Sequence, residues 1–478
     1  MEIAAIRKRK IFAAPALYAS RLEQEELPSY RSDFQRDRDR ILYSKSFRRL
    51  SGKTQVFLPR SNDHVRNRLT HSLEVSQIAC TTSKMLGLDD ELTEAISLGH
   101  DIGHTPFGHV GERTLNQIMN NCVRLLFPAT IFGESERGFK HNLQGVRIFS
   151  ELHRIYPQLS GTNLTNFTLH GIANHSGMVY GICKNYNKTE QKCYKKDRVP
   201  CHNCGTTHVD FYDRYRDAMS VKGEGLPAWS FEADVVSYAD EMSQRHHDVE
   251  DAYLMNILEP SDIISKIEEC FVDCLSVQKK KKLHEIKLSR DFFGPLISQF
   301  LVNMYNSNLI DATRSRMIEF AKDVMVKHRK DFVSSYVAYE SAVTKKIVGY
   351  SDEFAAADKC FHDFLRNTIL NAHRAQRMDG KGSYLIEKIF KAYFTNPRQL
   401  HDSTIIAVYN RLKKRRDTTG AISKILLGEY RKEIASATSR SNTGFELVLM
   451  RAICDHIAGM TDNFVMEEYS RLYGDKPI

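Results

Sequence analysis

The sequence predicts an all-α protein. Three observations carry this: apolar residues recur at helical three-and-four spacing through most of the chain, the period-two alternation of strands is scarce, and helix-start and helix-stop residues bracket the periodic stretches. The 478 residues allow a large core, and the hydrophobic fraction of 42% and charged fraction of 27% are those of a globular protein. At about 150 residues per domain the length suggests about three domains, and one helical body with insertions fits equally well. The net charge of +9 favours anionic partners such as nucleotides or nucleic acid and chooses between neither. No run of ~18 apolar residues offers a membrane span. The basic N-terminus lacks a signal-peptide core. These features predict a cytoplasmic protein whose ten cysteines are mostly reduced.

Taken in order, "NRLTHSLEVSQIACTTSKMLGL" sets Leu69, Leu73, Val75, Ile78, Ala79 and Met85 near helical spacing and stops at Gly87. Asp89 is placed to cap the next helix, which carries Leu92, Ala95, Ile96 and Leu98 on one side. Gly103, Pro106, Gly108 and Gly111 then break the chain into a turn, with a helix beginning near Pro106. "FEADVVSYADEMSQRHHDVEDAYLMNIL" reads as another long helix. Later helices are expected at about 261–275, 292–305, 312–329, 333–348, 351–371, 384–393, 403–415, 420–436 and 444–472, with room for a short strand within 338–350. "KKKK" at 279–282 reads as a solvated helix end or loop. Residues 181–228 are polar, lysine-rich and aromatic without a helical stripe, and read as an insertion between helical regions.

The chemistry concentrates in "SLGHDIGHTPFGHVGE", residues 97–112. His100 and Asp101 are adjacent where a helix runs into the glycine-rich turn, so the relaxed backbone lets both reach one ion. Two ligands are too few. His71 lies inside one amphipathic helix, and Asp240 inside the apolar "VVSYADEM", where a bare carboxylate is costly unless paired or bound to metal. Two nitrogens and two oxygens suit Mn, Mg, Fe, Co or Zn, with open positions for water and substrate.

The order His71, His100-Asp101, Asp240 resembles the H…HD…D signature of the HD phosphohydrolase superfamily. "YSKSFRRLSGKTQVF", "VRNRLTHSLEVSQIA", "LGHDIGHTPFGHVGE", "SGTNLT", "YADEMSQRHHDVEDA" and "HIAGMTDNF", from about residue 43 to 464, are similar to its dGTPase-type deoxynucleoside triphosphate triphosphohydrolases. The resemblance implies an HD-domain helical bundle with additional C-terminal helices, into which this chain sets a Cys-rich insertion that is not part of the family pattern. It divides the chain into an N-terminal substrate or oligomer segment (1–60), an HD core in two parts (61–180 and 229–260) around the insertion (181–228), and a helical region (261–478). It implies hydrolysis of a dNTP, dGTP by preference, to deoxynucleoside and inorganic triphosphate, by water attack on the α-phosphorus.

By the same resemblance His71, His100, Asp101 and Asp240 hold the metal, and His109 with Glu112 forms the catalytic pair, Glu112 orienting the ring. His104 contacts the phosphates or supports the centre from behind. Arg68 would bind phosphate through its fork. Gln55 would read the nucleoside, Asp248 the sugar 3′-hydroxyl, and His141 lies near the site. Gln244 departs from the family, which has a tyrosine there against the deoxyribose, so sugar selectivity is open. Arg48, Arg49 and Lys53 read as surface charge, intersubunit contacts or phosphate ligands. Relatives of this kind form tetramers or hexamers and take a dNTP activator. Two other functions stay open: an HD phosphohydrolase of nucleoside monophosphates or cyclic nucleotides, and a nucleic-acid-binding or phage-responsive regulator.

Cys183, Cys193, Cys201 and Cys204, the last two as "CHNC", offer a structural zinc site that would order the insertion; unligated or redox-active thiols are the alternatives. Its basic and aromatic residues, with "DFYDRYRD", would suit single-stranded nucleic acid.

Overall fold

A computed structural model describes residues 10, 12–26, 28–55, 65–120, 138–155, 159, 161–177, 179–180, 186–187, 192–193, 206–207, 213–328, 336, 346–412, 423–438 and 443–474. The all-α expectation holds. The helices are α1 (Asp33–Leu42), α2 (Lys45–Arg49), α3 (Arg68–Leu86), α4 (Asp90–Gly99), α5 (Gly108–Met119), α6 (His141–Arg147), α7 (Asn166–Asn174) and α8 (Phe231–Leu254). They continue as α9 (Pro260–Cys270), α10 (Val277–Leu288), α11 (Phe293–His328), α12 (Asp352–Leu370), α13 (His373–Thr395), α14 (Asp402–Leu412), α15 (Lys424–Thr438), α16 (Thr443–Ala458) and α17 (Asp462–Tyr473). Strand among the described residues is limited to two-residue pieces, Val179–Tyr180 beside Thr206–Thr207 and Tyr186–Asn187 beside Lys192–Cys193.

Local sequence sets the helix ends. The Asn67 side chain accepts from Thr70 N at the start of α3, and Gly87 ends that helix in the left-handed region at φ 74°. Asp89 caps α4 by accepting from Glu91 N and Leu92 N, and Ser230 caps α8 through Ala233 N. Ser32 and Gln35 form a capping box on α1, a helix the spacing did not predict.

Among the described residues, three apolar clusters form the interior. One packs α3, α4 and α8 with α11 and α12. A second gathers α5, α13, α14, α16 and α17. A third joins Leu98 and Ile102 to α6 and α7. The stretch from His100 to Glu112 runs between clusters: Ile102 belongs to the third, Phe107 and Leu115 to the second. Each such fully buried side chain contributes about 1.5–3 kcal/mol, so the turn is anchored at both ends.

Arg147 crosses from α6 to α16. This fully buried guanidinium donates to both oxygens of Asp455 (Nε 3.0 Å, Nη2 2.8 Å), to Glu151 at 2.7 Å and to the Tyr215 hydroxyl at 3.0 Å.

Several expectations are corrected. The helices expected at 292–305 and 312–329 are one helix, α11, because packing against α8 carries it through the polar Asn306-Ser307-Asn308. The single helix expected at 444–472 is two: Gly459 interrupts it and the Thr461 side chain caps α17 by accepting from Phe464 N. The helix expected at 384–393 begins earlier, at His373. "KKKK" lies in the first turns of α10, mostly exposed. Most of the expected 333–348 helix and of the short strand within 338–350 lies outside the described residues.

The expected insertion is not loose throughout. Tyr215 and Met219 are buried in the third cluster, so Tyr215 is no surface for stacking nucleic-acid bases. Cys183, Cys201 and Cys204 lie outside the described residues, and of Cys193 only the backbone is described. Cys270 and Cys360 form a disulfide joining α9 to α12, within a set of cysteines expected to be mostly reduced; Cys80, Cys274 and Cys454 are in no disulfide. No described helix is long and apolar enough to cross a membrane.

Candidate functional site

The end of α4, the turn after it and the facing faces of α3 and α8 bring His71, His100, Asp101 and Asp240 together. Gly103 and Gly111 make this possible: a Cβ on Gly103 would stand 1.9 Å from the His141 carbonyl oxygen, and one on Gly111 2.0 Å from that of Pro106. The turn is so tight that Phe107, not a glycine, adopts φ 58°. It is held there by Asp462, whose Oδ1 accepts from Phe107 N at 2.8 Å while Oδ2 accepts from Thr54 N at 2.7 Å and from the Thr54 hydroxyl.

His71 Nε2 lies 2.9 Å from Asp240 Oδ1 and 3.8 Å from Asp101 Oδ2. His100 Nε2 lies 3.5 Å from Asp101 Oδ1 and 3.7 Å from Asp240 Oδ1. The His100 tautomer follows from its partner: Nδ1 donates to Ser97 O at 2.6 Å, which leaves the lone pair on Nε2. That buried nitrogen has no hydrogen-bond partner. A lone pair converging on two carboxylates is the donor set a divalent cation needs, so the residues present fit a metal. The imidazoles of His71 and His100 beside it hold the Asp240 carboxyl below its usual range against the opposing pull of burial. Asp101 is held well below it by Arg68, His100 and His104, again against burial.

Arg68, the residue expected to meet phosphate, is buried and donates through Nη1 to Asp101 Oδ2 at 2.6 Å. Its Nε and Nη2 have no partner. Nη2 lies 3.4 Å from where a Gly108 Cβ would stand, at the start of α5, and that helix has no side-chain cap. Gln55 follows Thr54 here, with its side-chain oxygen buried and unpaired.

His109 is exposed, beside the buried rings of His104 and His141. Its pKa is pushed down to about 4, chiefly by desolvation, with Glu112 opposing and Arg68, His141 and Lys140 adding to the fall. Glu112 is not bonded to His109, contrary to expectation. Its carboxylate accepts from His141 Nδ1, from His141 N at 3.1 Å and from Lys140 Nζ at 2.7 Å. The Glu112 carboxyl is therefore well below its usual range, held by His141 and Lys140 although burial opposes.

His141 Nε2 faces His175 Nε2 at 3.2 Å, and the His175 Nδ1 donates to Ile172 O at 2.8 Å, so both His141 nitrogens face acceptors and both donate. His104 stacks on His141 with ring centroids 3.7 Å apart and lies 3.1 Å from Asp101 through Nε2. Burial, Arg68 and His141 drive the His104 pKa well down, and its Nδ1 has no partner.

Gln244 and Asp248 are half-buried on α8, one and two turns beyond Asp240. Burial raises the Asp248 carboxyl to about 7. Lys53 is no surface charge: it is buried and donates to Ala458 O at 2.8 Å and to His104 O, and burial, then Arg68, lowers it to about 7. Arg48 and Arg49 are exposed, Arg49 donating to Gly459 O at 3.1 Å. Two histidines that the sequence offered without a role prove to support the site. His175 lies behind His141, and His247 behind His71; the doubled His246-His247 on the Asp240 helix was the available signal.

Comparison with known proteins agrees with this geometry. The HD domain pattern matches residues 68–200 and the phosphohydrolase-associated domain matches 423–471. A deoxyguanosinetriphosphate triphosphohydrolase-like protein of Roseobacter denitrificans is 30% identical over 474 residues, 97% of each chain. Similarly named proteins of Bartonella quintana and Parvibaculum lavamentivorans are each 29% identical, over 471 residues (97% of this chain, 95% of the relative) and 475 residues (96% and 97%). With its His and Asp residues gathered at one centre and its likeness running nearly end to end, the chain belongs to the HD-type deoxynucleoside triphosphate triphosphohydrolase family.

Proposed function

We propose that the protein hydrolyses a deoxynucleoside triphosphate, dGTP by preference, to the deoxynucleoside and inorganic triphosphate. The observation that carries this reading is Arg68: a buried guanidinium with two unpaired nitrogens beside the uncapped start of α5 and next to the metal-ligand cluster. Leaving charged donors unmade inside a protein is costly, and a polyphosphate would satisfy them together with the helix-terminal N–H groups.

In this reading water adds to the α-phosphorus and the bond to the 5′-oxygen breaks. The triphosphate keeps the water's oxygen and the 5′-oxygen takes up a proton. His71, His100, Asp101 and Asp240 would hold a divalent metal, Mn, Mg, Fe, Co or Zn, which when bound polarises phosphoryl oxygen and makes bound water more acidic. Arg68 orients the phosphates through its fork. His109, exposed beside His104 and His141, exchanges a proton with the reacting oxygens. His141, paired with Glu112, stacks beside His104 and holds it in place. Gln55 and Asp248 meet the nucleoside.

The test is product analysis with each dNTP and rNTP in the presence of Mn²⁺ or Mg²⁺, singly and in mixtures. Deoxynucleoside plus intact triphosphate is expected. Orthophosphate or diphosphate as the first product would overturn the reading.

Gln244 carries a specific prediction. Replacing it with tyrosine, Gln244→Tyr, should sharpen discrimination against the ribonucleotide by about tenfold in kcat/KM, some 1.4 kcal/mol, because a ring there crowds a 2′-hydroxyl. An unchanged dGTP-to-GTP ratio would remove Gln244 from the sugar site.

A further inference from the structure

Behind the metal-ligand cluster a second line of side chains runs from His71 towards solvent. His71 Nδ1 lies 3.3 Å from Nδ1 of the fully buried His247. His247 Nε2 lies 2.8 Å from Glu74 Oε2, and Glu74 Oε1 accepts from Arg66 Nε at 2.8 Å. Arg66 also lies 2.8 Å from Glu250, so Glu74 stands as a carboxylate facing a guanidinium held on both sides.

The protons along this line can be counted from their partners. Glu74 only accepts, so His247 Nε2 donates. A neutral His247 then offers its lone pair at Nδ1. His71 Nδ1 must donate to it, which leaves the His71 lone pair on Nε2, the atom that faces Asp240. The tautomer this line imposes on His71 is therefore the one a metal ligand needs.

We propose that His247 and Glu74 are positioning residues that lock His71 in its metal-binding tautomer and ring orientation. The inference rests on His71 Nε2 being a ligand of the centre. It also decides the character of a nearby trio. Glu74, His246 and His247 lie close enough to suggest a second ion site. While His71 holds a metal, however, His247 has spent its only proton on Glu74 and has no lone pair there, and Arg66 already balances Glu74. The trio supports the centre and does not duplicate it.

The experiment measures Mn²⁺ affinity of the metal-stripped full chain by titration calorimetry, with circular dichroism and melting temperature as controls. His247→Leu should weaken Mn²⁺ binding about 10- to 100-fold. His247→Asn, whose side-chain oxygen stands near the lost Nδ1 and still accepts from His71, should stay within about threefold of the parent, the acceptor being retained. Glu74→Gln keeps an acceptor without the charge and should show a smaller loss in the same direction. Parent-like affinity in a folded His247→Leu overturns the proposal, as does an Asn variant as weak as the Leu variant. If His247→Leu does not fold, Glu74→Gln decides: unchanged affinity overturns the proposal. His71→Leu separates the two levels. Loss of binding there without loss in His247→Leu removes the relay alone, whereas full binding in His71→Leu removes the metal centre on which it rests.

Discussion

Replacing His109 with alanine is expected to lower kcat about 10²- to 10⁴-fold, the range for loss of a positioned proton-transfer group. The protein should stay folded, because the ring is exposed and none of the site's hydrogen bonds described above runs through it. The position decides the size of the effect. His109 sits at the start of α5, with ring centroids 5.4 Å from His104 and 6.5 Å from His141, so it stands on the open side of a group that is otherwise buried. Its pKa near 4 makes it neutral at pH 7 in the absence of substrate. An arriving polyphosphate would favour the charged ring and bring it into the range useful for proton transfer. Rapid-quench kinetics with dGTP would measure the chemical step, and a His109→Ala variant with parental kcat would remove the residue from the mechanism.

The largest effect on stability should come from Arg147. An Arg147→Met variant should lose about 3–5 kcal/mol, because it leaves a buried carboxylate without its partner. Asp455 receives three hydrogen bonds from Arg147 and one from Gln144 at 3.1 Å, and no apolar side chain can replace them. Arg147 holds the Asp455 carboxyl below its usual range, with burial opposing. The sign follows from that direction. The contribution of the pair is complete above the ordinary carboxylate pKa of about 3.9 and is lost as the pH falls through the lower folded-state value. The stability difference between parent and variant, read by urea unfolding, should therefore shrink below about pH 4. A difference under about 1 kcal/mol at pH 7 would show that the pair adds little.

The parts of this architecture that sequence could reveal are those written in local chemistry. Gly87 and Asp89 mark the boundary between α3 and α4 because a left-handed stop and a carboxylate cap need only their own neighbours. Asp240 was identifiable because a bare carboxylate is costly in its apolar helical setting, and His100-Asp101 because they adjoin where a helix runs into a turn; with His71 they complete the H…HD…D order, and the structure gathers all four. The partner of Glu112 was not. His141 lies 29 residues away on another helix, while His109, three residues away, shares its helix and was the natural choice. Lys53 looked like surface charge because nothing nearby in sequence announces the carbonyl of Ala458, 405 residues on. The polar stretch inside α11 resembled a break because packing against α8, which sustains it, is a tertiary effect.

The carboxylate of Asp462 gives the molecule an order of assembly. It lies 355 residues after Phe107 and 408 after Thr54, yet it ties both, and Phe107 is held in a backbone conformation that costs of order 1–3 kcal/mol. During translation every residue proposed to hold the metal, with His109 and Glu112, leaves the ribosome long before residue 462 does. Until it arrives, the turn that carries His104 and leads into His109 lacks this clamp, and Thr54 lacks the two hydrogen bonds that it makes to Asp462. Seating of this turn thus waits for residue 462: a nascent protein arrested midway would carry His71, His100, Asp101, Asp240, His109 and Glu112 and lack the carboxylate that ties Phe107 to Thr54.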